Sequence, residues 1–397
     1  MKGHILFLSY DGLTDHLGRS QVIPYLNGFC DSGYSVSVIS ADKPDKYSND
    51  RELVESELHP SCRWHSLVYH KSPPLLSTWY DLRNMERIAD GIIKHEVPTH
   101  IHCRSYPAME VGSSLGKKYD IPVLFDIRGF YPEEKLDGGI WKMNHPLHNY
   151  AFHRLKKKEK RFFKQASHVI SLTQKGKDLL LTKHPVLQDQ DITVIPCCAD
   201  HDHFKPIGER PSGPIRLLYL GSLGTWYRTD LLLRLYSLLK ATHADAELII
   251  LSGQDIHMVK DMATRMGIDP DSIQGRQADR NELPELIGQC TLSAFFIKDA
   301  YSKAASSPTK LAEILACGLP VICNSEVGDL ERISSEMPFV HTMSSDALNE
   351  MHIDSVLDKL LSYDRSYISS RSREAFHTQV AIDRYLAVFD VMERDTR

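Results

Sequence analysis

No apolar run in these 397 residues approaches the roughly 20 positions that a membrane-spanning helix needs. The opening segment Met1-Lys2-Gly3-His4-Ile5-Leu6-Phe7-Leu8-Ser9 is too short, and too soon broken by Asp11 and Gly12, for a signal peptide. The eight cysteines include no C-x-x-C pair. Cys30, Cys103, Cys290, Cys317 and Cys323 stand in apolar surroundings, so they read as reduced core thiols of a cytoplasmic protein. The vicinal Cys197-Cys198 does not alter this, because adjacent side chains of an extended segment point oppositely. Basic residues are not in excess: the formal net charge is −5, which leaves no footprint for nucleic acid. No G-x-G-x-x-G follows the first strand pattern, against a dinucleotide site. The strings Asp189-Gln190-Asp191 and Asp200-His201-Asp202 sit in turn-like sequence, and no metal is expected there.

What is present is the composition of a globular α/β protein, with 42% hydrophobic and 25% charged residues, at a length that suggests two domains and a cleft between them. His4–Ser9 and Tyr34–Ser40 read as buried strands around a helical Gln21–Cys30, which makes a βαβ unit and begins a parallel sheet. His100–Cys103, Pro122–Phe125, Val169–Leu172 and Thr193–Ile195 continue it, with amphipathic helices between. A stretch dense in proline and glycine, Lys205 to Pro214, reads as a linker. A second α/β cycle follows, with strands Arg216–Leu220, Glu247–Leu251, Leu292–Ile297 and Val321–Asn324, and helices Asp230–Lys240, Leu283–Gly288 and Pro308–Cys317. The expected domains are 1–204 and 205–375. A last helix, Phe376 to Val391, presents Val380, Tyr385, Leu386 and Phe389 as its apolar stripe.

The most telling segment is Ser306-Ser307-Pro308-Thr309-Lys310-Leu311-Ala312-Glu313, closed by Cys317-Gly318-Leu319-Pro320. Ser307 is a suitable N-cap, Pro308 suits the first helical position, and Gly318 with Pro320 ends the helix. The helix start attracts phosphate oxygens, and Lys310 and Glu313 share one face. A carboxylate beside a phosphate site is wasteful unless it accepts hydrogen bonds from a neutral partner such as a ribose cis-diol. The three groups suit a nucleoside diphosphate; an ordinary capped helix with a surface Lys–Glu pair is the bland alternative.

Open α/β sheets bind ligands beyond the carboxyl ends of their strands, so the loops there are informative. Gly18, after the first strand, and Gly221-Ser222-Leu223-Gly224, after the first strand of the second lobe, each let backbone approach a ligand. Lys298, Lys303 and Lys310, with Arg228, can neutralise a diphosphate. Asp126 and Arg128 follow one strand of the first lobe, and Arg104 and Tyr106 follow another; an ion pair from Asp126 to Arg128 or Arg104 that braces the loop is the competing role. The stretch His153 to Lys164 is strongly basic, with Phe152, Leu155, Phe162 and Phe163 interleaved. A basic amphipathic helix of this kind can lie on an anionic membrane surface, and a solvated helix face accounts for the same pattern.

Over nearly its whole length the chain resembles the family-4 (group 1) retaining glycosyltransferases of the GT-B fold, in a branch of bacterial cell-surface polysaccharide enzymes. The segments that carry the likeness are Leu8–Leu13 with Leu17–Val22, Phe125–Phe130, Val194–Asp200 with Phe204-Lys205-Pro206, Tyr219–Tyr227, and Ser307–Ile322. The resemblance implies two Rossmann-like doubly wound parallel-sheet lobes, the N-terminal one completed by the C-terminal helix 376–397 and binding the acceptor. The other lobe is implied to bind a nucleotide sugar as co-substrate, with no cofactor. Glu313 would then contact the ribose, and Ser307, Pro308, Thr309, Lys310 and Leu311 would lie beside the diphosphate. Asp126, Arg128 and Glu313 are the catalytic expectations. Arg104, Tyr106 and Asp126 are expected at the acceptor, a glycan on a lipid carrier at the inner face of the membrane. Three positions depart from the family pattern. Ala305 stands where a Glu eight residues before Glu313 often holds the sugar, and Ser222 and Tyr227 stand in the loop where an Arg and a Lys are common. Lys298, Lys303 and Arg228 are the candidate substitutes. The competing functions are a GT-B nucleotide-sugar 2-epimerase and a non-catalytic nucleotide-sugar-binding protein.

Overall fold

The computed structural model describes residues 2–73 and 76–394. The first sheet has seven parallel strands: β1 (Gly3–Ser9), β2 (Tyr34–Asp42), β3 (Cys62–Val68), β4 (His100–Arg104), β5 (Val123–Asp126), β6 (His168–Ser171) and β7 (Ile192–Val194), in the order β3-β2-β1-β4-β5-β6-β7. The second has six: β8 (Arg216–Leu220), β9 (Glu247–Leu251), β10 (Ile273–Arg276), β11 (Leu292–Phe295), β12 (Val321–Asn324) and β13 (Val340–Met343), in the order β10-β9-β8-β11-β12-β13, again all parallel. Both orders reverse beside the first strand of the sheet, the arrangement of doubly wound folds.

The central strands are near-continuous apolar runs because helices cover both faces of a parallel sheet. Ile5, Leu6 and Leu8 of β1 and Leu217 and Leu218 of β8 have no solvent exposure. Each such side chain contributes about 1.5–3 kcal/mol through burial. Helix Thr229–Thr242 turns Leu231, Leu232, Leu235, Tyr236 and Leu239 inward, at helical spacing, onto the second sheet.

The chain divides into two compact units, one running to Pro196 and resuming at Thr378, the other spanning Cys197–His377. The division therefore falls ahead of the 204/205 boundary and the Lys205–Pro214 linker. Ala199 and Phe204 are the reason, since both pack into the core of the second unit. Ala199 also pairs with His377, and its N–H donates to the Phe376 carbonyl.

The last helix, Thr378–Arg394, lies on the first unit against helix Ile23–Asp31. It buries Ala381, Ile382, Tyr385, Val388, Phe389 and Met392, a stripe rotated from the expected one, with Val380 and Leu386 only half-buried. Phe389 packs edge-on to Phe29 at 5.1 Å, and Tyr385 to Tyr25 at 5.7 Å. Among the described residues no helix is long and apolar enough to cross a membrane.

Candidate functional site

In the second unit the key helix runs Thr309–Ala316, one residue later than the sequence suggests, with Pro308 extended as its N-cap. Ser307 is not the cap: its hydroxyl accepts instead from the Cys197 N–H at 3.1 Å. Ser307, Pro308 and Thr309 are half-buried, Leu311 enters the core, and Gly318 at φ +76° closes the helix.

Lys310 is 8% exposed, and its ammonium finds no hydrogen-bond acceptor among the described residues. It lies over three rings instead, Tyr227 at 3.9 Å, Tyr219 at 4.8 Å and Phe295 at 5.7 Å from their centroids. Burial pushes its pKa down to about 7, with the Glu313 charge pulling the other way. Gly221 stands directly against it. A Cβ at Gly221 would meet Lys310 Nζ at 2.7 Å, and the glycine holds φ +117°. A buried ammonium without a hydrogen-bond acceptor is costly to ionise, in keeping with its lowered pKa.

Glu313 is 4% exposed, and burial raises its carboxyl to about 7 against the pull of Arg280 and Lys310. Arg280 Nη1 lies 3.6 Å from Glu313 Oε1, and its guanidinium sits 5.0 Å from the Phe204 ring centre. Sequence reasoning missed Arg280, because it follows the weakly apolar edge strand β10. Asn324 was missed too. Its side-chain oxygen accepts from the Ile297 N–H at 2.8 Å and its NH₂ donates to the Ile297 carbonyl at 2.9 Å, which ties down the turn before Lys298.

The remaining second-unit candidates are spread around this centre. The segments Trp226–Arg228 and Phe296–Lys298 pair antiparallel through Tyr227 and Ile297. Arg228 donates twice to Asp230, at 2.8 and 2.7 Å, so its fork is occupied. Lys303 is buried with its ammonium 3.8 Å from the Trp226 ring centre, and Lys298 is exposed. Ser222 is exposed, and its carbonyl accepts from the Tyr219 hydroxyl. Ala305 is 1% exposed inside a tight turn, sealed from any ligand.

In the first unit, Asp126 ends β5 and is 1% exposed. Its Oδ2 accepts from the Tyr385 hydroxyl at 3.0 Å and lies 3.5 Å from His102, while Oδ1 lies 3.7 Å from Arg128. Burial opposes its charge, yet Arg128, His102 and Arg104 together hold the carboxyl down at about 2. Arg104 is 4% exposed, 3.5 Å from Asp11. Two residues at these strand ends are left-handed without being glycine, Ser105 at φ +69° after β4 and Arg128 at φ +56° after β5. Asp120, the C-cap of helix Ser105–Tyr119 at φ +55°, and Thr225 of the second unit at φ +39° share that conformation. Such positions cost about 1–3 kcal/mol each and gather at functional loops.

Tyr106 is buried, its hydroxyl donating to Glu159 at 2.6 Å; Glu159 also takes Lys156 and lies 3.3 Å from His184. The Tyr106 ring forms part of the wall of a cavity of about 520 Å³. Gly18 lies within helix His16–Gln21, and the space of its missing Cβ is filled by the backbone of Gly12 and Leu13. It brings the chain's own loop close, not a ligand. The basic segment lies within helix Pro146–Gln165. Phe162 and Phe163 point into the core against Phe125, at 5.9 and 5.7 Å, while Phe152 and Leu155 are half-buried.

Among the described residues no group of three or more His, Cys, Asp or Glu side chains is placed to hold a metal ion. Asp191 belongs to a capping box with Gln188, and Asp200 accepts from the N–H groups of Asp202 and His203.

Comparison with known proteins gives the family and the fold. Residues 25–203 match the domain described as Glycosyltransferase Family 4, and residues 200–362 match Glycosyl transferases group 1. The chain belongs to these glycosyltransferases. Its fold resembles sucrose-phosphate synthase from Thermosynechococcus elongatus, at a TM-score of 0.76 and 15% identity over 98% of this chain and 99% of that one. It is also similar to Anabaena HepE, solved with UDP and glucose, at 0.67 and 14% over 97% and 99%. The lipopolysaccharide outer core galactosyltransferase WaaB aligns at 0.63 and 13% over 98% and 99%. These likenesses establish two Rossmann-like lobes of the GT-B fold. Comparison with curated proteins gives no match.

Proposed function

We propose that this glycosyltransferase moves a hexose from a nucleoside-diphosphate sugar, with retention of anomeric configuration, to a growing glycan on a lipid carrier at the cytoplasmic face of a membrane. The observation that carries the donor half is Lys310, a nine-tenths-buried ammonium without an acceptor, set against Gly221 at the start of helix Thr309–Ala316. A diphosphate supplies the anion, and Glu313, steadied by Arg280, accepts from the ribose hydroxyls. HepE, solved with UDP-glucose, supports a nucleotide sugar, and WaaB, which builds lipopolysaccharide, supports a glycan acceptor.

In this reading the acceptor hydroxyl forms the new bond to the anomeric carbon on the face from which the diphosphate leaves. The anomeric carbon to phosphate-oxygen bond breaks, and the hydroxyl proton passes to the departing phosphate. Lys310 and the helix start stabilise the charge that develops there, so no metal is called for. Asp126 and Arg128 shape the acceptor side, with the left-handed Arg128 holding its loop.

A panel of nucleotide sugars tests the assignment. One of them should raise the melting temperature of the wild type, and Glu313→Ala should stay folded while donor KM rises roughly 10- to 100-fold, the loss of a hydrogen bond to a charged group. Unchanged kinetics would sink it. Isomerised sugar formed from donor alone would make the chain a 2-epimerase, and donor binding without turnover on any acceptor would make it a binding protein.

A further inference from the structure

In helix Ile23–Asp31 the residues Asn27, Cys30 and Asp31 share a face, because positions three and four apart are neighbours on a helix. Asn27 grips the segment ahead of β3 twice. Its NH₂ donates to the Glu57 carbonyl at 2.7 Å, and its side-chain oxygen accepts from the His59 N–H at 2.8 Å. Asp31 lies 3.6 Å from the His59 imidazole. Cys30 stands between these two anchors, and Cys62, whose N–H donates to the His59 carbonyl at 2.8 Å, opens β3 just beyond them. The helix packs on that strand, and the two thiols meet, with the Cys62 S–H donating to the Cys30 sulfur.

Exposure singles out this pair. Seven of the eight cysteines are buried, and Cys62 alone is half-buried, so a small oxidant reaches two adjoining sulfurs through it. The bond from Cys62 also lowers the Cys30 pKa against the opposing effect of burial, and the thiolate is the reactive form.

Between the two cysteines run β2 and the helix Pro44–Glu57, of whose residues Val54 is the one fully buried. That helix is thinly anchored, and its last residue is held by Arg19 and Asn27. Next to Cys30, Phe29 packs edge-on to Tyr385 and Phe389 of the last helix, at 5.6 and 5.1 Å. A covalent bond from Cys30 to Cys62 would fasten the edge of the first sheet to the helix on which the C-terminal helix rests.

We propose that Cys30 and Cys62 form a peroxide-sensitive dithiol that closes to a disulfide and staples β3 to helix Ile23–Asp31. The Cys30 thiolate attacks one oxygen of hydrogen peroxide, the O–O bond breaks, and the departing hydroxide takes up a proton to become water. The Cys62 sulfur then attacks the sulfenic acid so formed. The S–O bond breaks, and hydroxide leaves with the Cys62 proton as a second water. Two thiols are oxidised, one peroxide is reduced, and a thiol reductant reverses the change. Neither cysteine belongs to the second unit, so the staple does not depend on the transferase reading.

The test treats the full chain with hydrogen peroxide, alkylates the remaining thiols with iodoacetamide and maps the peptides. The expected result is the loss of two titratable thiols, a cross-link between the peptides of Cys30 and Cys62, and full recovery with dithiothreitol. Closing a loop of this length should raise the melting temperature of the oxidised protein by roughly 5 °C. Cys62→Ser, at the half-buried position where folding is safe, should abolish the cross-link and leave a sulfenic acid on Cys30 that dimedone captures. Cys30→Ala should abolish the cross-link as well. All eight thiols still titrating after peroxide, a disulfide mapped to Cys197 and Cys198 instead, or equal melting temperatures for the reduced and oxidised protein would each overturn the proposal.

Discussion

The hydroxyl of Tyr385 donates to Asp126 Oδ2 at 3.0 Å, joining the last helix to the end of β5 across 259 residues of chain. The bond sits in the interior, where each donor to a buried carboxylate counts, and it makes the C-terminal helix part of what holds the candidate acceptor loop.

Replacing Tyr385 by Phe removes that donor and little else. Stability should fall by about 1–3 kcal/mol, seen as a lower urea midpoint with an unchanged slope. An unchanged midpoint would count against the bond.

Asp126 should also shape acid stability. Its folded carboxyl lies at about 2, below the unfolded value near 4, so its contribution is present above pH 4 and is lost as the pH falls through 2. The shift corresponds to about 2–3 kcal/mol. The stability gap between wild type and Asp126→Asn should narrow between pH 4 and 2, and a gap independent of pH would contradict the charge assignment.

Donor affinity should depend on pH near neutrality. Lys310, lowered to about 7 by burial, must carry its proton to meet a diphosphate, so affinity should decline above pH 7, by up to tenfold per unit, with proton uptake on binding. Glu313, raised to about 7, serves the ribose best when ionised, which adds a shallower decline below 7. Lys310→Met keeps the side-chain volume and removes a buried unpartnered charge. It should leave the melting temperature level or higher, weaken donor binding roughly hundredfold and abolish the alkaline decline, all measurable by calorimetry.

Two glycines should separate structure from binding. Gly221→Ala places a methyl 2.7 Å from Lys310 Nζ at φ +117° and should raise donor KM at least tenfold while costing about 1–3 kcal/mol. Gly18→Ala collides with the backbone of Gly12 and Leu13, so it should lower the stability of the first unit without a matching change in donor affinity. A change of donor affinity alone would reverse this assignment.

Central strands were legible in the sequence because both of their faces are buried, which leaves apolar runs such as Ile5–Leu8 and Leu217–Leu220. Three of the four edge strands were not. β3, β10 and β13 pair on one side only and carry few fully buried residues: one in β3, Leu67, one in β10, Ile273, and one in β13, Val340. Losing β10 from view also hid Arg280. The segment Ser307–Glu313 was readable because capping, dipole and side-chain spacing act within two turns of chain, and even there the cap moved from Ser307 to Pro308 once Cys197 claimed the hydroxyl.

By itself, then, the sequence determined the two α/β cycles, the short helix of the second unit and the presence of Lys310 and Glu313 on it, since those depend on local periodicity and local chemistry. Only the tertiary structure decided that Lys310 is a buried cation boxed by Tyr219, Tyr227 and Phe295, that Arg280 attends Glu313, and that Tyr385 reaches Asp126. Burial and hydrogen bonding between positions far apart in the chain exist only once the sheets and helices have packed, and it is burial that moves a lysine and a glutamate toward neutrality.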